Sequence, residues 1–133
     1  MARTFEELSL DEWQFLTERR VATLTTVRRD GRPHVVAMAF TVDRGDGVIR
    51  MITSEGTQKV RNVERSGRAA VAQVDGLSWL SLEGRAVVVR DSAGIGRAVT
   101  EYERRYRPAR DNPNRVAIEI TDVEILGAVR RPG

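Results

Sequence analysis

The stretch Thr53-Ser54-Glu55-Gly56-Thr57-Gln58-Lys59 brings together hydroxyls, a turn glycine and a lone lysine where a β-branched run gives way to a helical pattern. A helix start leaves N–H groups unpaired and carries partial positive charge, which suits a phosphate. Thr57 adds a hydroxyl donor there and Lys59 a full charge. The same residues also fit a threonine-capped helix beside a solvated lysine. A second group, Ser78-Trp79-Leu80-Ser81-Leu82-Glu83-Gly84-Arg85, is expected to set Trp79 and two serines on one strand face, with Glu83 and Arg85 continuing along it. Such a face borders a planar ligand or anchors a core or a dimer contact. His34, directly after Pro33, suits a ligand contact or a proton donor, and equally the plain end of a hairpin. Tyr102, Arg104, Arg105, Tyr106, Arg107 and Arg110 form a basic and aromatic cluster. It fits bidentate pairing with carboxylates, and it also fits a solvated helix end where arginine complements the dipole.

Composition removes whole classes of chemistry. With no cysteine, disulfides, thiolate nucleophiles, iron–sulfur clusters and cysteine-ligated zinc are excluded, so redox chemistry must come from a bound cofactor. His34 is the single histidine, which excludes a zinc site built on several histidines and makes a Ser-His-Asp triad depend on that one residue. The 133 residues point to one domain over 1–133. No segment has the length and apolarity of a signal peptide or a membrane span, so a soluble, cytoplasmic protein with no membrane partner is expected. Of the 22 basic residues only Lys59 is a lysine, against 19 acidic residues. That arginine excess suits anionic ligands, and codon bias explains it as well. The charges are scattered without a basic run, so nucleic acid is not an expected partner.

These groups need elements to hold them. Ser9-Leu10-Asp11-Glu12 has capping-box spacing and opens a short first helix carrying Trp13 and Leu16. Val21 to Val27 alternates with β-branched residues, Asp30-Gly31 supplies a turn, and His34 to Val42 returns as a second strand whose two faces are both expected to be covered. A third strand runs from Val48 to Thr53, and a short helix then ends at Gly67. Arg68 to Val74 is a fourth strand, and Trp79 to Val89 a fifth, bent at Gly84. A third helix covers Ala93 to Arg105, in which Gly94 and Gly96 are read as packing positions. Val116 to Ile125 closes the chain as a sixth strand interrupted near Asp122. Six strands joined largely by turns predict a mainly β fold with peripheral helices, a closed or partly closed barrel.

The order of ATLTTVRRDGRPHVVAMAFT, MITSEGTQKVRNVERSGRAAVAQVDG and WLSLEGRA resembles the pyridoxamine 5'-phosphate oxidase-like split barrels over Leu10 to Gly127. Within them it is similar to the flavin/deazaflavin oxidoreductases of the B group, and there to the coenzyme F420-dependent biliverdin reductases. The resemblance implies a six-stranded split β-barrel of the FMN-binding type, acting as a homodimer. It implies that Thr53, Thr57, Gln58 and Lys59 hold the cofactor phosphate, with Asn62 further along that helix. It implies that the ring lies against the second strand at His34, Val35, Val36, Ala37, Met38 and Ala39, and that Ser78 and Trp79 reach the site from the other subunit. Flavin-using relatives often have Ser-Arg-Lys where this chain has Thr57-Gln58-Lys59, which leans toward F420. The implied reaction is hydride transfer from reduced F420 to biliverdin or a similar conjugated acceptor, with no general acid evident in the sequence. The alternatives are an FMN-dependent oxidoreductase of the same fold and a non-catalytic protein that binds a cofactor or haem.

Overall fold

The computed structural model describes residues 2–130; positions 1 and 131–133 of the expected single domain lie outside the described residues. After a 3-10 turn at Phe5–Glu7, helix α1 spans Leu10–Thr17. Ser9 accepts the Glu12 N–H at 3.1 Å while the Glu12 carboxylate accepts the Ser9 N–H at 3.0 Å, so the expected capping box is present. The strands are β1 (Ala22–Val27), β2 (Pro33–Met38), β3 (Thr41–Asp43), β4 (Val48–Ser54), β5 (Arg68–Asp75), β6 (Ser78–Val89) and β7 (Arg115–Ala128). Helix α2 (Gln58–Ser66) lies between β4 and β5, and α3 (Ser92–Arg105) between β6 and β7. None of the described helices is long and apolar enough to cross a membrane.

The strands form one antiparallel sheet in the order β2-β1-β5-β6-β7-β4-β3. This corrects the expected six-stranded barrel: there are seven strands, and the sheet is open. The extra strand arises because the run from His34 to Val42 breaks at Ala39-Phe40, leaving β2 and β3 at opposite edges. Met38 and Thr41 are three Cα steps apart, at most about 11 Å, so the sheet must curl until its two edges nearly meet. No β2–β3 pairing occurs among the described residues, and side chains bridge the seam instead. The Arg105 guanidinium donates to the carbonyls of Phe40 (2.5 Å) and Glu18 (2.8 Å) and to Gln73 Oε1 (2.7 Å). The Tyr106 hydroxyl lies 2.7 Å from the Arg20 carbonyl and accepts the Phe40 N–H at 3.4 Å.

The inner face of the curl holds the core, with Phe15 and Leu16 from α1, Val60 and Val63 from α2, and Leu24, Ile49, Val71, Leu80, Leu82, Ile118 and Ile120 from the strands. Gly84 marks the bend in β6, where the register against β7 shifts by one residue. A Cβ there would sit 2.2 Å from the Thr121 carbonyl oxygen, so only glycine permits the strands to close at this point. The matching extra residue is on β7, where Asp122 takes φ 51° without ending the strand, so the expected interruption is a bulge. In α3, a Cβ on Gly94 would meet Val89 at 2.4 Å, which accounts for that glycine as packing. The expectation that both faces of the second strand are covered is not met. Val35 and Ala37 are exposed, because β2 is an edge strand and none of the described residues covers its outer face.

Candidate functional site

Where the sheet edges approach, a cleft of about 350 Å³ opens. Its floor is Ala37 and Met38 of β2, Ala39 just beyond that strand, and Ile52 and Thr53 of β4; its far wall is Tyr102 of α3 with Arg107, Arg110, Asn112 and Arg115. The small residues at 37 and 39 leave strand backbone accessible to a flat group. Tyr102 is backed by Tyr106, ring centroids 5.3 Å apart, and Tyr106 is fixed by the seam bonds above. The wall segment is tied down along its length. Ala109 N–H donates to the Glu103 carboxylate at 2.8 Å, Asn114 N–H to Asn112 Oδ1 at 3.0 Å, and Asn112 Nδ2 to Ser54 Oγ at 2.9 Å. Arg115 also donates to the Arg110 carbonyl. No carboxylate side chain lines the cleft among the described residues.

The turn after β4 leads directly into α2. Gly56 there has φ 81°, a conformation that favours glycine and sets the helix start beside the end of β4. Thr57 occupies the N-cap position, but its hydroxyl donates back to the Ser54 carbonyl at 3.1 Å and makes no cap bond to the helix. The plain threonine-cap alternative is therefore not the arrangement found, and no side chain among the described residues caps the first-turn N–H groups of α2. Lys59 is half-buried, and burial holds its ammonium below the usual lysine range. His34 shares this neighbourhood: burial first, then the charges of Arg28 and Lys59, hold its imidazole below the ordinary value. Its Nδ1 is buried without a hydrogen-bond partner among the described residues. An unsatisfied buried nitrogen beside two cations and an uncapped helix start has the chemistry of an anion site, which fits a phosphate-bearing cofactor.

The structure thus gathers Ala37, Met38, Ala39 and Thr53 in one cleft, and His34 with Lys59 about 13 Å further along β2. Val36 is partly buried and packs on the core, whereas Val35 faces outward. Gln58 donates to Asn62 Oδ1 at 2.8 Å, and Asn62 Nδ2 donates to Thr26 Oγ1 at 3.0 Å. Asn62 is fully buried, its amide spent on tying α2 to β1. Ser78 and Trp79 do not share a face. Trp79 is exposed, whereas Ser78 is buried and bonds the Arg130 backbone at 2.7 and 3.1 Å, so the grouping of Trp79 with two serines holds for Ser81 alone. β6 stands three strand spacings from β2, about 14 Å, which separates Trp79 from the cleft of its own chain.

The basic and aromatic cluster also divides. Arg105 and Tyr106 are consumed in the seam, Arg104 lies on the outer side of α3, and Arg107, Arg110 and Tyr102 enter the cleft. Asn112 and Arg115 were not singled out from the sequence, where they look like loop and strand-start residues. Their only signal was proximity to Arg110 between two prolines.

The geometry agrees with what the chain resembles. The family model described as pyridoxamine 5'-phosphate oxidase matches residues 12–127. The F420H(2)-dependent biliverdin reductase of Mycobacterium tuberculosis (strain CDC 1551 / Oshkosh) is 48% identical over 128 residues, covering 96% of this chain and 93% of that protein. A solved structure described as an F420 reductase superposes with TM-score 0.65 at 28% identity, over 80% of this chain and 89% of that one. A conserved hypothetical protein from Mycobacterium tuberculosis gives TM-score 0.69 at 28% identity, over 93% of this chain and 82% of that one. The curled antiparallel sheet, the α2 start and the match across nearly the whole length place this chain in the pyridoxamine 5'-phosphate oxidase family.

Proposed function

We propose that this protein is a coenzyme F420-dependent oxidoreductase that passes a hydride from the reduced deazaflavin to biliverdin or a similar conjugated acceptor. The observation that carries the choice of cofactor and acceptor is the 48% identity, over 96% of this chain, to an F420H(2)-dependent biliverdin reductase. When bound, the reduced deazaflavin would supply the hydride, and the chain's part is to bind and orient it against the acceptor. Thr57, Gln58 and Lys59 hold the phosphate at the uncapped start of α2, with His34 Nδ1 beside it, and Thr53, which lines the cleft, contacts the cofactor between the phosphate and the ring. Asn62 acts behind them by orienting Gln58. The backbone from His34 through the end of β2 to Ala39 supports the ring, and Ala37 and Ala39 keep the approach open. The proton that accompanies the hydride comes from water in the open cleft, from a group lining it such as the Tyr102 hydroxyl, or from an acid group of the substrate held by arginine.

The outer sheet face supports a homodimer. Val74, Trp79 and Leu126 are exposed on the neighbouring strands β5, β6 and β7, an apolar surface that a second copy would cover. In that assembly Trp79, with Ser78 fixing the strand beneath it, borders the partner's site.

The test is a fluorescence titration of the purified protein with F420 and, in parallel, FMN, followed by mixing the reduced cofactor with biliverdin. Micromolar F420 binding with bilirubin formation is the expected outcome. Preference for FMN moves the protein to flavin chemistry of the same fold, and F420 binding without bilirubin removes biliverdin as the acceptor.

A further inference from the structure

The wall segment after α3 has a composition that the cofactor reading leaves unused. Arg107, Arg110 and Arg115 all line the cleft, no carboxylate lines it with them, and none of the three is in an ion pair among the described residues. Unpaired guanidinium groups facing one cavity repel one another, and an anion between them removes that cost. The backbone of the segment is held by Asn112 on Ser54, by Glu103 on the Ala109 N–H and by Arg115 on the Arg110 carbonyl, so binding has the two arginine side chains to order but little of the backbone. Its place also matters. It brackets Ala37 to Ala39 and Tyr102, about 13 Å along β2 from His34 and Lys59, and so faces whatever lies over the ring more than the phosphate end.

We propose that Arg107 and Arg110, with Arg115 setting their backbone, form a carboxylate clamp for the substrate that selects acceptors bearing two neighbouring free acid groups. This deepens the reading above and rests on it for the position of the ring. In an open-chain tetrapyrrole the two propionates stand on the adjacent inner rings, so one clamp reaches both while the conjugated system extends over β2. The planar fork of arginine suits each carboxylate by paired N–H donation. Tyr102 forms the apolar side of the same mouth.

The experiment uses the protein loaded with oxidised F420, or with whichever cofactor it retains, so that binding is read without turnover. Biliverdin and its dimethyl ester are titrated by bilin absorbance into the wild type, R107A/R110A and R110K. The diacid is expected to bind about tenfold or more tightly than the diester in the wild type. R107A/R110A loses that preference, R110K retains part of it, and F420 affinity stays unchanged in both. Equal binding of acid and ester by the wild type, or no binding of either, overturns the clamp. A fall in F420 affinity in R107A/R110A also overturns it, because the arginines then serve the cofactor's own acid groups. Acid-selective binding without bilirubin on adding reduced cofactor upholds the clamp while removing biliverdin as the reduced acceptor, so the two fail separately.

Discussion

Two arginine-bearing regions of this molecule use the same side chain to opposite ends. Arg50, on β4, is buried and held by Glu101 at 2.7 Å, Glu119 at 2.9 Å and Asp43 at 3.1 Å. Burial works against its charge, but hydrogen bonds to Glu119 and Asp43 and the field of Glu101 outweigh that and raise its pKa above the ordinary arginine value. It joins β3, β4, α3 and β7 near one sheet edge. Arg107 and Arg110 are exposed at the cleft, and among the described residues neither forms an ion pair and no carboxylate side chain lines the cleft with them. Neither burial nor charge alone separates structure from function here; what separates them is whether the protein itself supplies the counter-charge.

The largest expected effect breaks the paired region. Arg50→Met strands three carboxylates in a confined space and should cost about 3–5 kcal/mol of stability, read by urea denaturation. A loss below about 1 kcal/mol would mean the cluster is effectively solvated and the contrast is false. On the other side, Lys59→Ala should leave stability nearly intact and weaken F420 binding by about 1–3 kcal/mol, the scale of a charge-assisted hydrogen bond. Unchanged affinity in a titration would remove Lys59 from the site.

A smaller effect concerns His34. Its imidazole is held below its ordinary value in the free protein, and an anion bound beside it would raise that value, so binding takes up a proton. Cofactor affinity should therefore strengthen, by less than about tenfold, as pH falls through the region below about 6.5, and His34→Gln should flatten the profile. A wild-type profile already flat there would place the anion away from His34.

The smallest sharpens the paired class. Arg3 donates to both Glu12 oxygens at 2.9 and 2.5 Å, and that bond, more than burial opposes it, holds the Glu12 carboxylate below its usual range. A depressed carboxylate contributes stability that is present above its unfolded value, about 4.3, and is lost as pH falls through the folded one. Arg3→Gln should reduce acid sensitivity in that window by about 1 kcal/mol or less, measured as the difference in denaturation midpoint between pH 6 and pH 3. An undiminished pH dependence would show that the pair is immaterial.

Much of the frame is written in local signals. The capping box at Ser9 to Glu12, the Asp30-Gly31 turn between β1 and β2, and the end of α2 at Gly67 all depend on residues a few positions apart, and each stands where its spacing put it. The helix start at Thr57 to Lys59 was legible for the same reason. The opposite facing of Ser78 and Trp79 was equally open to a period-two count, although the grouping of Trp79 with both serines passed over it.

The break at Ala39-Phe40 was not legible, because Ala-Phe-Thr-Val continues a β pattern without turn residues. It is the Arg105 and Tyr106 contacts, some 65 residues later in the chain, that hold Phe40 at the seam. The sorting of Arg105 from Arg107 and Arg110 followed in the same way, since Gln73 and Phe40 are near Arg105 only after the sheet has curled. By itself the sequence determined the elements, the cysteine-free chemistry and the phosphate-suited helix start, all set by neighbours along the chain. Only the tertiary structure decided which arginines are neutralised and which face the cleft, because a charge's role depends on the groups folding brings to it.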